Sequence, residues 1–103
     1  MKQKTKSESE KDITKAIRSV LKTLGVFHWK AMQGLGSVPG VPDILGIWKG
    51  RMLGIEVKTE SGKPSDHQKR FIDMINREGG IAFVARSVND VIDGLGVKDR
   101  FLL

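Results

Sequence analysis

The chain has no cysteine, only three prolines and only two histidines among its 103 residues. Without cysteine there is no disulfide, no thiolate zinc site and no thiol nucleophile, and the composition fits a reducing compartment such as the cytoplasm, the expected location. The histidines are separated: His28 stands among apolar residues and His67 at a predicted helix start, so neither belongs to the clustered pattern of a histidine-built metal site. No apolar run is long enough to cross a bilayer, and the polar, charged N-terminus lacks the apolar core of a signal peptide. The expectation is a protein with no membrane partner.

Acidic residues are the scarcer charge. Lysine and arginine number 18 against 12 aspartates and glutamates, a formal net charge of +6. That excess on so small a chain suits a polyanionic partner or a well-solvated surface, and basicity alone does not choose between them. The length suits a single domain, 1–103, with residues 1–6 expected to fray.

Hydrophobic spacing supplies the element order. Ile13, Ile17, Val20, Leu21 and Leu24 recur at helical intervals and predict an amphipathic helix over 8–24, with Ser7 and Glu10 as its capping box and Gly25 as its stop. Residues 26–32 are rich in β-formers and read as a strand. A loop with three glycines and two prolines spans 33–42. Strands follow at 43–48 and 51–59 around Lys49-Gly50. A second loop runs into a helix over 65–78, Gly79-Gly80 ends it, and 81–85 is a short apolar strand. Ser87 and Asp90 start a last helix carrying Val88, Val91, Ile92 and Leu95. The order is α-β-β-β-α-β-α, an α/β chain with a sheet flanked by helices.

The hairpin is the informative part. A two-residue turn at Lys49-Gly50 pairs Trp48 with Arg51 and sets Asp43 opposite Glu56, although a type I′ turn prefers Asn or Asp at the lysine position. Asp43, Leu45, Ile47, Met52, Gly54, Glu56 and Lys58 then share one face, while Ile44, Gly46, Trp48, Arg51, Leu53, Ile55 and Val57 share the other. Both faces are apolar near the turn, which predicts helices on both sides. Cross-strand carboxylates, with Cβ atoms roughly 5 Å apart, repel unless a cation lies between them. Oxygen ligands select a hard divalent ion, Mg2+ or Mn2+. Lys58 points to the same face, where its ammonium can orient a water or neutralise charge on a phosphate. The competing reading is a surface ion pair, since Glu-x-Lys is a common tripeptide.

Pro42-Asp43 followed by Glu56-Val57-Lys58 resembles the PD-(D/E)XK nuclease superfamily. The finer pattern is similar to its virus-type replication-repair nuclease branch, the VRR-NUC domain, from about Glu8 to Val84. Glu10 matches the glutamate opening the first helix, Gly40-Val41-Pro42-Asp43 the motif before the second strand, and Gln68 the glutamine of the following helix, which the resemblance implies is a catalytic residue close to the lysine and the water. The resemblance implies the restriction-endonuclease-like fold, with a mixed central sheet. It implies that Asp43 and Glu56 bind the metal, with the Val57 carbonyl and Glu10 completing the site, and that Lys58 is the catalytic lysine. Glu8 competes with Glu10 for its role. Glu10 equally serves the capping box with Ser7, and Gln68 equally serves one with Ser65. Lys30, Lys63, His67, Lys69 and Arg70 are candidate phosphate contacts or else solvated surface residues.

The resemblance implies a metal-dependent DNA endonuclease acting on branched DNA such as a four-way (Holliday) junction, in replication or repair. Two alternatives remain at this point: a sequence-preferring phage- or restriction-type endonuclease, and a non-catalytic DNA-binding protein that retains the fold. The stripe of Val88, Val91, Ile92 and Leu95, with Phe101-Leu102-Leu103 at the end, calls for a covering surface. Stand-alone relatives imply that the cover is a second copy in a homodimer; the alternative is the chain's own helix 65–78.

Overall fold

The computed structural model describes residues 8–32, 34 and 37–101, the last of these by its backbone alone. Helix α1 spans Glu10–Thr23, and its cap differs from the expected one. Ser9 is the N-cap: its hydroxyl accepts from the Asp12 amide at 3.1 Å, and the Asp12 carboxylate accepts from the Ser9 amide at 3.4 Å. Two overlapping Ser-x-x-acid patterns stand here, and the one nearer the apolar stripe forms the box. Glu10 is thereby the first helical residue rather than the box's acid, and Ser7 lies outside the described residues. The stripe of Ile13, Ile17 and Leu21 is buried. Gly25, at φ 76°, turns the chain, and the Val26 amide donates to the Leu21 carbonyl.

Four strands follow the expected order with tighter bounds: β1 Phe27–Lys30, β2 Ile44–Trp48, β3 Arg51–Val57 and β4 Ile81–Ala85. They lie in the order β1-β2-β3-β4; the first two pairings are antiparallel and β3–β4 is parallel, so the sheet is mixed. Helix α2, Asp66–Arg77, makes the crossover that a parallel pair requires. The hairpin register is the one read from the sequence, with Trp48 opposite Arg51 and Ile44 opposite Ile55. Lys49 takes the left-handed conformation at φ 51° before Gly50 at φ 78°, and its ammonium sits 5.1 Å from the centre of the Trp48 ring. Lysine tolerates a backbone region that Asn or Asp favours, and the cation–ring contact offsets part of that cost.

Helix α3, Val88–Leu95, and a short 3-10 helix at Lys98–Phe101, which the sequence did not suggest, complete the fold. α1 and α3 cover one face of the sheet, burying Ile44, Leu53, Ile55, Val57 and Ala85 between them. Val91 and Leu95 enter this core, with Val88 and Ile92 packed on it, so the α3 stripe packs within its own domain, against β4 and α1 rather than α2. Leu102 and Leu103 lie outside the described residues.

Expected cover on the opposite face is only partly present. α2 lies over β3 and β4 there. Phe27, Trp29, Ile47 and Met52 are left 67%, 41%, 47% and 40% exposed, because one helix is narrower than a four-stranded sheet.

Candidate active site

Glu56 is a carboxylate built into a strand and sealed under a helix: only 2% of the residue is exposed. Register places Asp43, the residue before β2, at the next rung beside it. One Asp43 oxygen accepts from the Val57 amide at 2.7 Å, and the Asp43 carbonyl accepts from the Ala31 amide at 2.8 Å. Asp43 therefore ties together the ends of three strands while its carboxylate faces Glu56.

Three groups converge on Glu56. The Gln68 amide donates to its Oε2 at 2.9 Å, and the Lys58 ammonium lies 3.6 Å from the same oxygen. Its other oxygen, Oε1, is buried and has no hydrogen-bond partner among the described residues. Burial and then the neighbouring Asp43 charge push the Glu56 carboxyl up from 4.5 to about 7, against the opposing pull of Lys58. An orphaned carboxylate oxygen beside a second carboxylate is a costly arrangement in an apolar setting, and a divalent cation relieves it. The donor set is all oxygen and fits Mg2+ or Mn2+.

Gln68 forms the expected capping box with Ser65 and also reaches Glu56. Its side-chain oxygen accepts from the Ser65 amide at 2.8 Å, and its backbone amide donates to the Ser65 hydroxyl at 3.1 Å. The cap fixes the side chain so that its NH2 faces Glu56. Gly40, at φ 81°, lets the loop reach this helix start; a Cβ there would collide with the His67 carbonyl. Pro42, fully buried, then carries the chain into Asp43.

Among the described residues no group of three Asp, Glu or His side chains comes together as a ready cation site. Glu10 and Glu8 are exposed at the start of α1, and the structure does not join either to the Asp43–Glu56 pair. Lys63, His67, Lys69 and Arg70 are exposed around the second loop and the first turns of α2. Lys30 ends β1 and lines a groove against α1. His28 bonds through Nδ1 to the Val26 carbonyl at 3.0 Å and takes no part in the site.

Arg86, just after β4, carries a role the sequence did not single out. Its guanidinium donates to the carbonyls of Thr59, Glu60 and Gly62, clamping the loop between Lys58 and α2. Nothing local signals this contact, because the partners are more than twenty residues away.

The sequence model of the VRR-NUC domain family matches residues 2–89. The chain belongs to the VRR-NUC family. One solved VRR_NUC domain is 27% identical with a TM-score of 0.68, over 90% of this chain and 97% of that one. Another, a VRR_NUC domain protein, shares the fold at 21% identity and a TM-score of 0.69, over 93% of this chain and 89% of that one. A comparison with curated proteins finds no significant match. The four-stranded mixed sheet flanked by helices is the PD-(D/E)XK-like fold of VRR-NUC domains. The chain is thus a nuclease-type domain, and no described helix is long and apolar enough to cross a membrane.

Proposed function

We propose that this VRR-NUC domain is a metal-dependent DNA endonuclease selective for branched DNA such as four-way junctions, working as a homodimer. The observation that carries the catalytic part is the buried Glu56 carboxylate. One oxygen meets Gln68 and Lys58, the other has no partner among the described residues, and Asp43 lies alongside.

Asp43 and Glu56 would hold the cation, with the Val57 carbonyl as a further oxygen donor. When bound, the cation supplies Lewis acidity toward the phosphate and acidifies a water. Lys58 directs its positive charge at the phosphate, where negative charge builds in the transition state, and its ammonium donates a hydrogen bond that orients the attacking water. Gln68 acts through Glu56: its hydrogen bond fixes one carboxylate oxygen and leaves the other for the metal. Lys63, His67, Lys69 and Arg70 lie in and after the neighbouring loop and suit contacts to phosphates flanking the scissile one. Contacts of this kind read backbone shape rather than base sequence, which favours a structural substrate.

Cleavage of linear, flap, splayed and four-way DNA with Mg2+, Mn2+ or chelator tests the proposal. Metal-dependent cutting concentrated on the four-way junction is the expected result. Full activity in chelator would remove the metal, equal cutting of linear duplex would remove structure selectivity, and no cutting of any substrate with either metal would favour a non-catalytic domain.

A further inference from the structure

A second charged surface lies away from the carboxylates. Lys11, Lys15, Arg18 and Lys22 stand on the outer side of α1 and, with Lys30 of β1, line a groove of about 420 Å3. At 100° per residue the four helix cations fall within an arc of about 60°, with no acid between them. None of the five pairs with a carboxylate among the described residues, and the Arg18 Nε is buried without a hydrogen-bond partner.

This ridge costs the isolated domain stability. Like charges three or four residues apart destabilise a helix, and Lys11 sits in the first turn, where the helix dipole disfavours a cation. A polyanion laid along the ridge reverses the sign of every one of these interactions. From Lys11 to Lys22 the helix rises about 16 Å, close to five base-pair steps of a duplex strand. Among the described residues no aromatic side chain lines the groove, so bases have nothing to stack on there. Its chemistry suits the phosphates of double-stranded DNA rather than an unpaired strand. Lys30 also ends β1 beside Ala31, whose amide binds the Asp43 carbonyl, so the groove opens at the end of the sheet that carries the carboxylates.

We infer that the α1–β1 groove is a duplex-binding surface that grips one arm of the DNA substrate through its phosphate backbone. This rests on the nuclease reading, extends it to a surface outside the candidate active site, and requires the groove rather than overall charge to set affinity.

Binding of a fluorescent duplex and a four-way junction is measured in chelator across a salt series, for two variants of equal charge loss. One is Lys11→Gln/Lys15→Gln/Lys22→Gln. The other is Arg77→Gln/Lys98→Gln/Arg100→Gln at the hairpin-turn end, where Arg100 lies 5.8 Å from the Trp48 ring. The ridge variant should bind about tenfold or more weakly, and its slope of log K against log salt should flatten by about 2–3. The turn-end variant should change affinity by less than about threefold. Equal effects from both variants overturn the inference and leave the nuclease reading standing. Wild-type protein that binds no DNA at any salt overturns both. Binding to phosphatidylserine vesicles without binding to duplex assigns the ridge to a membrane surface and overturns the inference. Acetylation of wild-type lysines, read by mass spectrometry, needs no variant to fold: bound duplex should protect Lys11, Lys15, Lys22 and Lys30, and unchanged labelling there also overturns it.

Discussion

Glu56 holds the balance between stability and chemistry at the level of a single residue. Its carboxyl is raised from 4.5 to about 7, so the protonated form is the one the folded metal-free protein favours. The resulting stability is fully present below pH 4.5 and is lost as pH rises through about 7, a change on the order of 3 kcal/mol across that window. In chelator, the melting temperature should therefore fall between pH 5 and pH 8. Glu56→Gln, neutral at every pH, should flatten that profile and raise stability at pH 8 while abolishing cleavage. A profile as steep in Glu56→Gln as in wild type would assign the slope to other groups. Lys58 should separate differently. Lys58→Ala is expected to lower kcat by 100-fold or more, on the order of 3 kcal/mol of transition-state stabilisation, with little change in DNA affinity. Lys63→Ala and Lys69→Ala should weaken binding and leave kcat near wild type. Steady-state and binding measurements on the three variants decide it, and equal affinity losses would erase the distinction. These residues were legible in the sequence because a two-residue turn fixes every rung beyond it. Asp43, Glu56 and Lys58 needed only the period of a strand. The carboxyl's burial was not legible, since it depends on α2 closing over the face.

At the scale of elements, local pattern located each helix and strand but not always its end. Ser7-x-x-Glu10 and Ser9-x-x-Asp12 are equally good capping boxes as text, and Ser9 with Asp12 forms the box in the structure. Lys11, Lys15, Arg18 and Lys22 all fall off the apolar stripe at helical spacing. Their meeting with Lys30 depends on how α1 packs beside β1, which no local spacing encodes. The loop after Lys58 presents the same limit. Its carbonyls from Thr59, Glu60 and Gly62 are held by Arg86 from beyond the far strand. Hydrogen bonds to a charged donor are worth about 1.5–3 kcal/mol each at most, and Arg86 makes several to one short segment. Arg86→Ala should therefore raise amide exchange across residues 59–63 and reduce cleavage, with β3 and β4 remaining protected. Arg86→Lys, a point charge in place of a planar fork, should recover only part of the protection. Unchanged exchange in the loop of Arg86→Ala would show that the clamp is not what orders it.

For the whole molecule, the apolar surface that needs covering lies on the sheet rather than on α3. Phe27, Ile47 and Met52 form one cross-strand row, with Trp29 beside them and the Phe27 and Trp29 rings 5.6 Å apart. All four are at least 40% exposed, and a contiguous apolar patch of this kind in water marks an interaction surface. Two-fold pairing is the simplest cover, because one patch then meets its own copy. The row of Phe27, Ile47 and Met52 lies toward the hairpin turn and the carboxylates toward the opposite end, so pairing through the row leaves both candidate active sites open. Two such sites related by a two-fold axis suit paired cuts across a four-way junction, itself close to two-fold symmetric. Sedimentation at micromolar concentration should show a dimer, and Phe27→Glu/Ile47→Glu should give a folded monomer. Tryptophan emission adds a local readout: Trp48 is buried and Trp29 is 41% exposed, so dilution through the dissociation range should red-shift the Trp29 contribution. A monomer as the sole wild-type species would end the dimer proposal, and a dimer that survives the double substitution would place the contact elsewhere. If the monomeric variant still cuts one strand of a junction but no longer makes the opposed pair, the dimer is what couples the two cuts.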